Sequence, residues 1–211
     1  MPIAGIPLPA GGLYAITAAD ENKRQLLLVA ETCLTGGAAV LQYRDKSRSF
    51  VERLEISREL RKICHHYRKP LIINDDLPLA VESAADGLHI GKDELYALSL
   101  AKQVRPALWI GVSCYDSLQR AREAVTAGAD YVAFGSFFES STKPFATRAS
   151  LDLLRAARAE LAVPIVAIGG ITPENGHHVI AAGAHFLAVI GGIFSRSDIA
   201  AATAQYTHLF T

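Results

Sequence analysis

Cationic side chains stand directly after short apolar runs in this sequence. The run 40–43 leads into Arg44 and Lys46, and Lys143 follows a later run. Arginine and lysine neutralise anionic ligands, and the arginine fork suits paired phosphate oxygens. Ser113, which ends another apolar run, adds a hydroxyl donor. This set predicts a pocket for a large anion such as a diphosphate.

Carboxylates occupy the same kind of position. Asp75 follows the apolar run 71–74, and Asp93 and Glu94 follow the run 87–90. Mg²⁺ usually takes one or two carboxylates together with substrate phosphates and water. Asp75 with Asp93 or Glu94 therefore predicts a metal-bound diphosphate. The opposite ends of the runs are expected to have few such groups.

Two glycine pairs suggest a second phosphate site. Gly169-Gly170 and Gly191-Gly192 follow the last two apolar runs, and bare backbone N–H groups bind phosphate well. The hydroxyls of residues 140–142 are placed to close over it. A diphosphate and a monophosphate in one pocket imply a two-substrate reaction, in which cations stabilise the charge on a leaving diphosphate.

These residues need a scaffold that brings the ends of the runs together. Eight apolar runs alternate with segments of helical period, and we predict strands at 13–17, 40–43, 71–74, 87–90, 108–113, 131–135, 165–169 and 185–190. Ser49, Asp116 and Thr172 are predicted helix N-caps. The pattern favours one (β/α)₈ TIM barrel over residues 1–211, with 1–12 as an N-terminal extension; an open doubly wound sheet is the alternative. A barrel places its active site at the carboxyl ends of its strands.

The amino-acid composition argues against some classes of binding partner. The 211 residues include 21 basic and 21 acidic side chains, so no global field attracts nucleic acid or an anionic membrane. Three cysteines without a CxxC spacing indicate reduced thiols. We expect that residues 1–12 do not act as a signal peptide, since they have three prolines and no basic region, and that the longest apolar stretch is too short to span a membrane. We expect a cytoplasmic protein that acts on small molecules, and a homo-oligomer is possible.

Six segments, taken in order, resemble a known family. They are LQYRDK, IINDD, GLHIGKDE, GVSCYD, DYVAFGSFFESSTK and IVAIGGITPEN, and with their spacing they resemble thiamine phosphate synthases from Leu13 to Phe194. The resemblance implies a Mg²⁺-dependent transferase on a (β/α)₈ barrel. It would join hydroxymethylpyrimidine diphosphate to the nitrogen of hydroxyethylthiazole phosphate, giving thiamine phosphate and diphosphate by a dissociative substitution.

The resemblance also implies roles for particular residues. Arg44, Lys46, Ser113 and Lys143 would be catalytic, and Asp75 with Glu94 (or Asp93) would hold the metal. The remaining substrate contacts would be Gln42, Tyr43, Asp45, Asn74, Ser140, Ser141, Thr142, Gly170, Ile190 and Gly191.

Three departures from the family pattern concern the metal and phosphate positions. Glu94 stands where the family usually has aspartate, Ser136 and Ser140 replace the usual proline and threonine, and Gly191 stands where many members have serine. None of these changes removes a charge from the diphosphate site. We therefore expect activity to persist.

Simpler roles and rival functions remain at this stage. Asp76 is predicted to cap a helix, and His89 to be a hydrogen-bonded histidine of the core. A thiazole tautomerase on the same barrel is a rival, but it should not need diphosphate cations or Mg²⁺. A non-catalytic barrel that binds a phosphorylated ligand is another, and it would tolerate loss of the metal carboxylates, which are present here.

Overall fold

The computed structural model describes residues 6–18, 22–91, 95–139 and 148–211. Eight parallel strands form a closed barrel in sequence order, and β1 pairs with β8 to close it. The strands are β1 Gly12–Ile16, β2 Val40–Tyr43, β3 Leu71–Asn74, β4 Gly87–Ile90, β5 Trp109–Tyr115, β6 Tyr131–Phe134, β7 Ile165–Ile168 and β8 Phe186–Val189. The predicted barrel is confirmed, and the doubly wound alternative is wrong because β1 and β8 are hydrogen-bonded neighbours.

Helices follow the strands and cover the barrel. They are α1 Lys23–Thr35, α2 Phe50–His66, α3 Leu77–Glu82, α4 Leu95–Val104, α5 Leu118–Thr126, α6 Leu151–Glu160, α7 Gly176–Ala181, α8 Gly191–Phe194 and α9 Ile199–Thr207, before the 3₁₀ turn His208–Phe210.

Short polar side chains define several helix starts. Ser49 begins α2 with a complete capping box: its side-chain oxygen accepts the Glu52 N–H, and its own N–H donates to the Glu52 carboxylate. Asp76 caps α3 as predicted. Two predicted caps are wrong by one to three residues: Ser117 rather than Asp116 caps α5, and α7 follows Asn175 rather than Thr172. Several neighbouring polar residues can serve as the N-cap, and the preference of each residue type does not decide which of them begins the helix.

The barrel wall separates two apolar cores. Side chains alternate between them along each strand, as the two-residue period of a strand requires. In β2, Val40 packs inside the barrel, whereas Leu41 and Tyr43 pack against the helices. Gln42 therefore points inward and is 2% exposed. This alternation decides which residues near the strand ends face the mouth.

The segment before β1 covers the amino-terminal end of the barrel. Leu8 packs against the inner core. The backbone of Ile6 donates to Asp86 Oδ1 and accepts from the indole of Trp109 at 2.9 Å. The carboxyl-terminal end is the one that the predicted site requires. None of the helices in the described ranges is long and apolar enough to cross a membrane.

Candidate active site

Arg44 extends the inward-facing side of β2 at the mouth. Its backbone is held by Thr17, which follows β1: the Arg44 N–H donates to Thr17 Oγ1 at 3.0 Å, and the Thr17 hydroxyl donates to the Arg44 carbonyl at 3.3 Å. Thr17 is 1% exposed, so this tie is rigid. The half-buried guanidinium has no partner among the described residues. The backbone is thus anchored while the charged end remains available to a ligand.

A carboxylate lies beside a second cation at the end of β3. The Nζ of Lys46 is 3.4 Å from Oδ2 of Asp75. Asn74 donates its amide to the same oxygen at 2.7 Å, and the Gly91 N–H donates to Oδ1 at 3.1 Å. Asp75 adopts a left-handed backbone with φ 62°. A positive φ is uncommon outside glycine, and here it accompanies a carboxylate directed at the neighbouring strand end.

Ser113 faces the inside of the barrel on β5. Its hydroxyl lies 2.9 Å from Nε2 of His89, and Nδ1 of His89 lies 3.2 Å from the hydroxyl of Tyr131. His89 therefore has polar partners on both ring nitrogens, as predicted for a core histidine. Burial lowers the pKa of His89 to about 4, against a smaller opposing effect of Asp75, so the ring is neutral near pH 7.

Two predicted contacts point away from the mouth. Tyr43 packs in the core between barrel and helices, and its hydroxyl donates to Asp45 at 3.3 Å. The Asp45 carboxylate, 1% exposed, pairs with Arg48 and accepts the N–H groups of Ser47 and Arg48. Burial raises the pKa of Asp45, but these hydrogen bonds outweigh it and lower the pKa to about 2. Strand parity directs Tyr43 outward, and Asp45 shapes the loop that presents Arg44 and Lys46.

The glycine turns after β7 and β8 lie on either side of one buried tyrosine. The hydroxyl of Tyr206, from α9, donates to the carbonyl of Ile171 at 3.0 Å. A Cβ at Gly192 would approach that hydroxyl to 2.2 Å, so glycine is required there. At Gly191 the nearest atom would be Ser195 Oγ at 3.4 Å, an ordinary contact. The first N–H groups of a helix have no partner within it, and Gly191 and Gly192 supply those of α8.

The neighbouring turn residues have different surroundings. Gly170 has φ 64°, and a Cβ there would lie 2.3 Å from the carbonyl oxygen of Glu139, so the loop after β6 passes directly over it. Asn175 donates to the Gly170 carbonyl at 3.0 Å and holds the turn. Ile190 packs against the inner core. The other predicted site residues, Asp93, Glu94, Ser140, Ser141, Thr142 and Lys143, lie outside the described residues.

The donor set at Asp75 fits a hard divalent cation. A carboxylate offers about four lone-pair positions, and Asp75, with a side chain 30% exposed, retains capacity beyond its three polar neighbours. Within the described ranges no three His, Cys, Asp or Glu side chains form a metal-binding group. One or two carboxylates completed by phosphate oxygens is the usual arrangement for Mg²⁺.

The structure adds residues that the sequence did not indicate. Arg120, from α5, donates to the carbonyls of Ser113 at 2.8 Å and Gly91 at 2.9 Å, and so joins the mouth ends of β5 and β4. Nothing in its helix distinguishes it from other arginines. For Tyr131 the sequence contained one indication, the glycine at position 111 inside an apolar strand. A Cβ at Gly111 would lie 1.9 Å from the Tyr131 ring, so the glycine makes room for that ring. For Thr17 the sequence contained no such indication.

The fold and this rim define a TIM barrel whose carboxyl-terminal mouth presents Arg44 and Lys46 beside the carboxylate of Asp75. A shallow groove lined by Leu54, Arg58 and Ser83 lies instead on the outer helix layer. Comparison with known proteins gives the family. The model of the family described as thiamine monophosphate synthase matches residues 13–193, and the chain belongs to this family.

Relatives agree over nearly the whole chain. The chain is 52% identical to a thiamine-phosphate synthase of Nitrosococcus oceani, covering 94% of this chain and 92% of the relative. It is 46% identical to that of Thiobacillus denitrificans, with 95% of each chain covered. The solved thiamine phosphate pyrophosphorylase of Pyrococcus furiosus superposes with a TM-score of 0.84 at 32% identity, covering 94% of each chain. The chain is thus a transferase of thiamine biosynthesis.

Proposed function

We propose that this chain transfers the hydroxymethylpyrimidine group from its diphosphate to the ring nitrogen of hydroxyethylthiazole phosphate. The observation that supports this best is the convergence of Lys46 and Asp75 at 3.4 Å on the mouth. The Arg44 guanidinium, for which the described residues provide no partner, follows the adjoining strand β2. A cation pair beside a carboxylate suits a diphosphate that arrives with a divalent ion.

The proposed substitution is dissociative. The bond between the pyrimidine methylene carbon and the diphosphate oxygen breaks, and its electron pair leaves with diphosphate. The thiazole nitrogen then donates its lone pair to the methylene carbon to form the new C–N bond. Arg44 and Lys46 stabilise the negative charge that develops on the leaving oxygen. Electrostatic stabilisation of this kind is usually the largest single contribution to an enzyme's rate enhancement. From the resemblance of the chain to thiamine phosphate synthases, Lys143 would add a third cation and Ser113 a hydroxyl donor.

Mg²⁺ would be held by Asp75 together with Glu94 or Asp93. When bound, it supplies positive charge to the diphosphate oxygens. Asn74 holds Oδ2 of Asp75 and the Gly91 N–H holds Oδ1, so the carboxylate has its direction before any ligand arrives. Preformed orientation of this kind reduces the cost of ordering on binding.

Gln42 is suited to the pyrimidine ring. Its side chain is buried inside the barrel, and Nε2 has no acceptor among the described residues. A buried amide donor without a partner costs stability unless a ligand provides the acceptor. A ring nitrogen of the pyrimidine would provide it. Asn74 lies on the neighbouring strand and completes this side of the site.

The thiazole phosphate would bind at the glycine turns. Gly170, Ile190 and Gly191 lie at the ends of β7 and β8, where barrels often bind phosphate. Ser140, Ser141 and Thr142 would add hydroxyl contacts. Because Gly191 has no hydroxyl, its backbone N–H would serve as the donor.

Cysteine chemistry supports a cytoplasmic location for this reaction. Cys33, Cys64 and Cys114 are buried and form no disulfide within the described part of the chain. Burial raises the pKa of Cys114 to about 12, so the thiol is protonated and inert. Buried free thiols are typical of reducing compartments.

The test is incubation of purified protein with the pyrimidine diphosphate, the thiazole phosphate and Mg²⁺, followed by assay of both products. We expect thiamine phosphate and diphosphate in equal amounts. Isomerisation of a thiazole carboxylate phosphate without diphosphate release would instead identify a tautomerase. Binding of the ligands without turnover would identify a phosphate-binding barrel.

A further inference from the structure

Four polar side chains form a continuous hydrogen-bonded chain inside the barrel. The hydroxyls of Tyr14 and Tyr131 are 2.9 Å apart, Tyr131 is 3.2 Å from His89 Nδ1, and His89 Nε2 is 2.9 Å from Ser113 Oγ. Tyr14 and Tyr131 are 2% and 1% exposed. The chain therefore runs from the buried interior of the barrel to the half-buried serine at the mouth.

A glycine makes this chain possible. His89, Gly111 and Tyr131 are register partners across β4, β5 and β6. A Cβ on Gly111 would lie 2.4 Å from the Tyr131 hydroxyl, so that hydroxyl passes over Gly111 to reach His89. Ser113 is two residues further along β5 and therefore faces the same side of the strand, nearer the mouth. The contacts among Tyr131, His89 and Ser113 are therefore fixed by the register of β4, β5 and β6.

The burial of the two tyrosines determines the direction of the hydrogen bonds. If Ser113 donated to His89, and His89 to Tyr131, then Tyr131 would donate to Tyr14. The Tyr14 hydroxyl would then have no acceptor among the described residues, in a side chain that is only 2% exposed. An unsatisfied buried donor is costly. In the opposite direction each buried O–H has an acceptor.

That opposite direction specifies the histidine tautomer. Tyr14 donates to Tyr131, and Tyr131 donates to Nδ1 of His89, so Nδ1 must be unprotonated. An imidazole ring always carries at least one N–H, so the proton lies on Nε2 and is donated to Ser113 Oγ at 2.9 Å. The hydrogen of Ser113 is then the one donor in the chain without an internal acceptor.

We propose that this chain holds His89 in its Nε2–H tautomer and thereby directs the Ser113 hydroxyl to donate into the mouth, toward the leaving diphosphate. Tyr14, Tyr131 and His89 act as positioning residues, and Ser113 alone touches the ligand. The identity of that ligand rests on the proposed function; the tautomer does not. Hydrogen bonds aligned in one direction polarise each other, so an anion at Ser113 strengthens the whole chain.

The first test uses ligand-free protein labelled with ¹⁵N in histidine. The ¹⁵N shifts of His89, assigned by comparison with His89→Gln, should show a protonated Nε2 and an unprotonated Nδ1 near pH 7. In Tyr131→Phe, Nδ1 loses its donor, and we expect both tautomers to appear. A wild-type spectrum with the proton on Nδ1 would overturn the proposal, whatever reaction the protein catalyses.

The second test is a double-mutant cycle on turnover. Tyr131→Phe should lower kcat about tenfold, the worth of roughly one hydrogen bond, with little change in the KM for thiazole phosphate. In a Ser113→Ala background the same change should have almost no further effect. Tyr67→Phe, which removes an exposed hydroxyl bonded to Glu31, is the matched control and should leave kcat unchanged.

The outcomes are distinguishable. Additive losses in the cycle would show that Tyr131 acts on folding or packing, not through Ser113, and would overturn the positioning role. Absence of thiamine phosphate with the wild-type protein would reject the proposed function, while the tautomer measurement would still decide the direction of the chain.

Discussion

The two ends of the barrel use the same kinds of side chain in opposite ways. At the amino-terminal end Asp86 accepts the N–H groups of Leu71 at 2.9 Å and Ile6 at 3.2 Å, and it lies 3.0 Å from His65. At the carboxyl-terminal end the Arg44 guanidinium has no described partner, and Lys46 is 64% exposed. Charge at one end is satisfied by the protein itself, whereas charge at the other is left for a ligand.

At the amino-terminal end of the barrel the same hydrogen-bond arrangement occurs at three strands. Asp86, Asp130 and His185 each precede an even-numbered strand. Each accepts the backbone N–H of a residue in the preceding odd-numbered strand: those of Leu71, Ile110 and Ile165, at 2.7 to 2.9 Å. These three polar groups at the amino-terminal end are bonded to the backbone of the barrel itself. Their function is to hold strand starts together.

The largest effect on activity should follow Arg44→Ala. Loss of a fixed charge that stabilises the leaving group should lower kcat/KM by about a hundredfold. Because the guanidinium has no described partner, the melting temperature should stay close to that of the wild type. Steady-state kinetics and thermal unfolding together check this, and wild-type kcat/KM would remove Arg44 from the diphosphate site.

The matched change at the other end is Asp86→Asn. An amide has one acceptor oxygen where the carboxylate has two, and the N–H groups of Leu71 and Ile6 bond to different oxygens of Asp86. We expect a loss of about 2–3 kcal/mol in the free energy of unfolding, which lowers the melting temperature by about 5–10 °C. The kcat/KM at 20 °C should not change. A kinetic defect in a fully folded variant would contradict the division between the two ends.

Much of this contrast was predictable. Alternation of apolar runs and helical segments predicted all eight strands, because parallel strands covered on both faces have few polar interruptions. Arg44, Lys46 and Asp75 could be placed at one rim because they follow strand ends. The resemblance also implied substrate contacts at Tyr43 and Asp45, and both side chains are bonded within the protein here. A position near a strand end does not specify which face a side chain occupies.

Other parts of the site could not be predicted. Arg120 reaches the rim from a helix, and Thr17 from the end of the preceding strand, so neither has a local pattern that reports its partner. The internal chain from Tyr14 to Ser113 joins residues up to 117 positions apart. Contacts of that kind depend on the register of neighbouring strands, which single-sequence periodicity does not contain.

A moderate effect on stability should follow Asp45→Asn. Asp45 lies near the mouth, but unlike Arg44 its charge is paired within the protein, with Arg48. The folded pKa of Asp45, about 2, is below its ordinary value of 3.8. Its ionised form therefore stabilises the fold above about pH 4, and this contribution of about 2 kcal/mol is lost as the pH falls from 4 toward 2. Denaturant titrations across that interval should show a loss of stability that is larger in the wild type than in the variant, because other carboxylates contribute equally to both. Equal pH dependence of both proteins would contradict the assignment.

The smallest effect should come from Gly191→Ser. The position has room for a side chain, with Ser195 Oγ at 3.4 Å from the built Cβ, so stability should not change. An added hydroxyl beside the turn should lower the KM for thiazole phosphate by about threefold, less than one full hydrogen bond. Gly192→Ala is the control, because its Cβ would meet the Tyr206 hydroxyl at 2.2 Å and should destabilise the fold. If Gly191→Ser instead lowered the melting temperature and left KM unchanged, this turn would belong with the internally satisfied end of the barrel and not with the end left open for ligands.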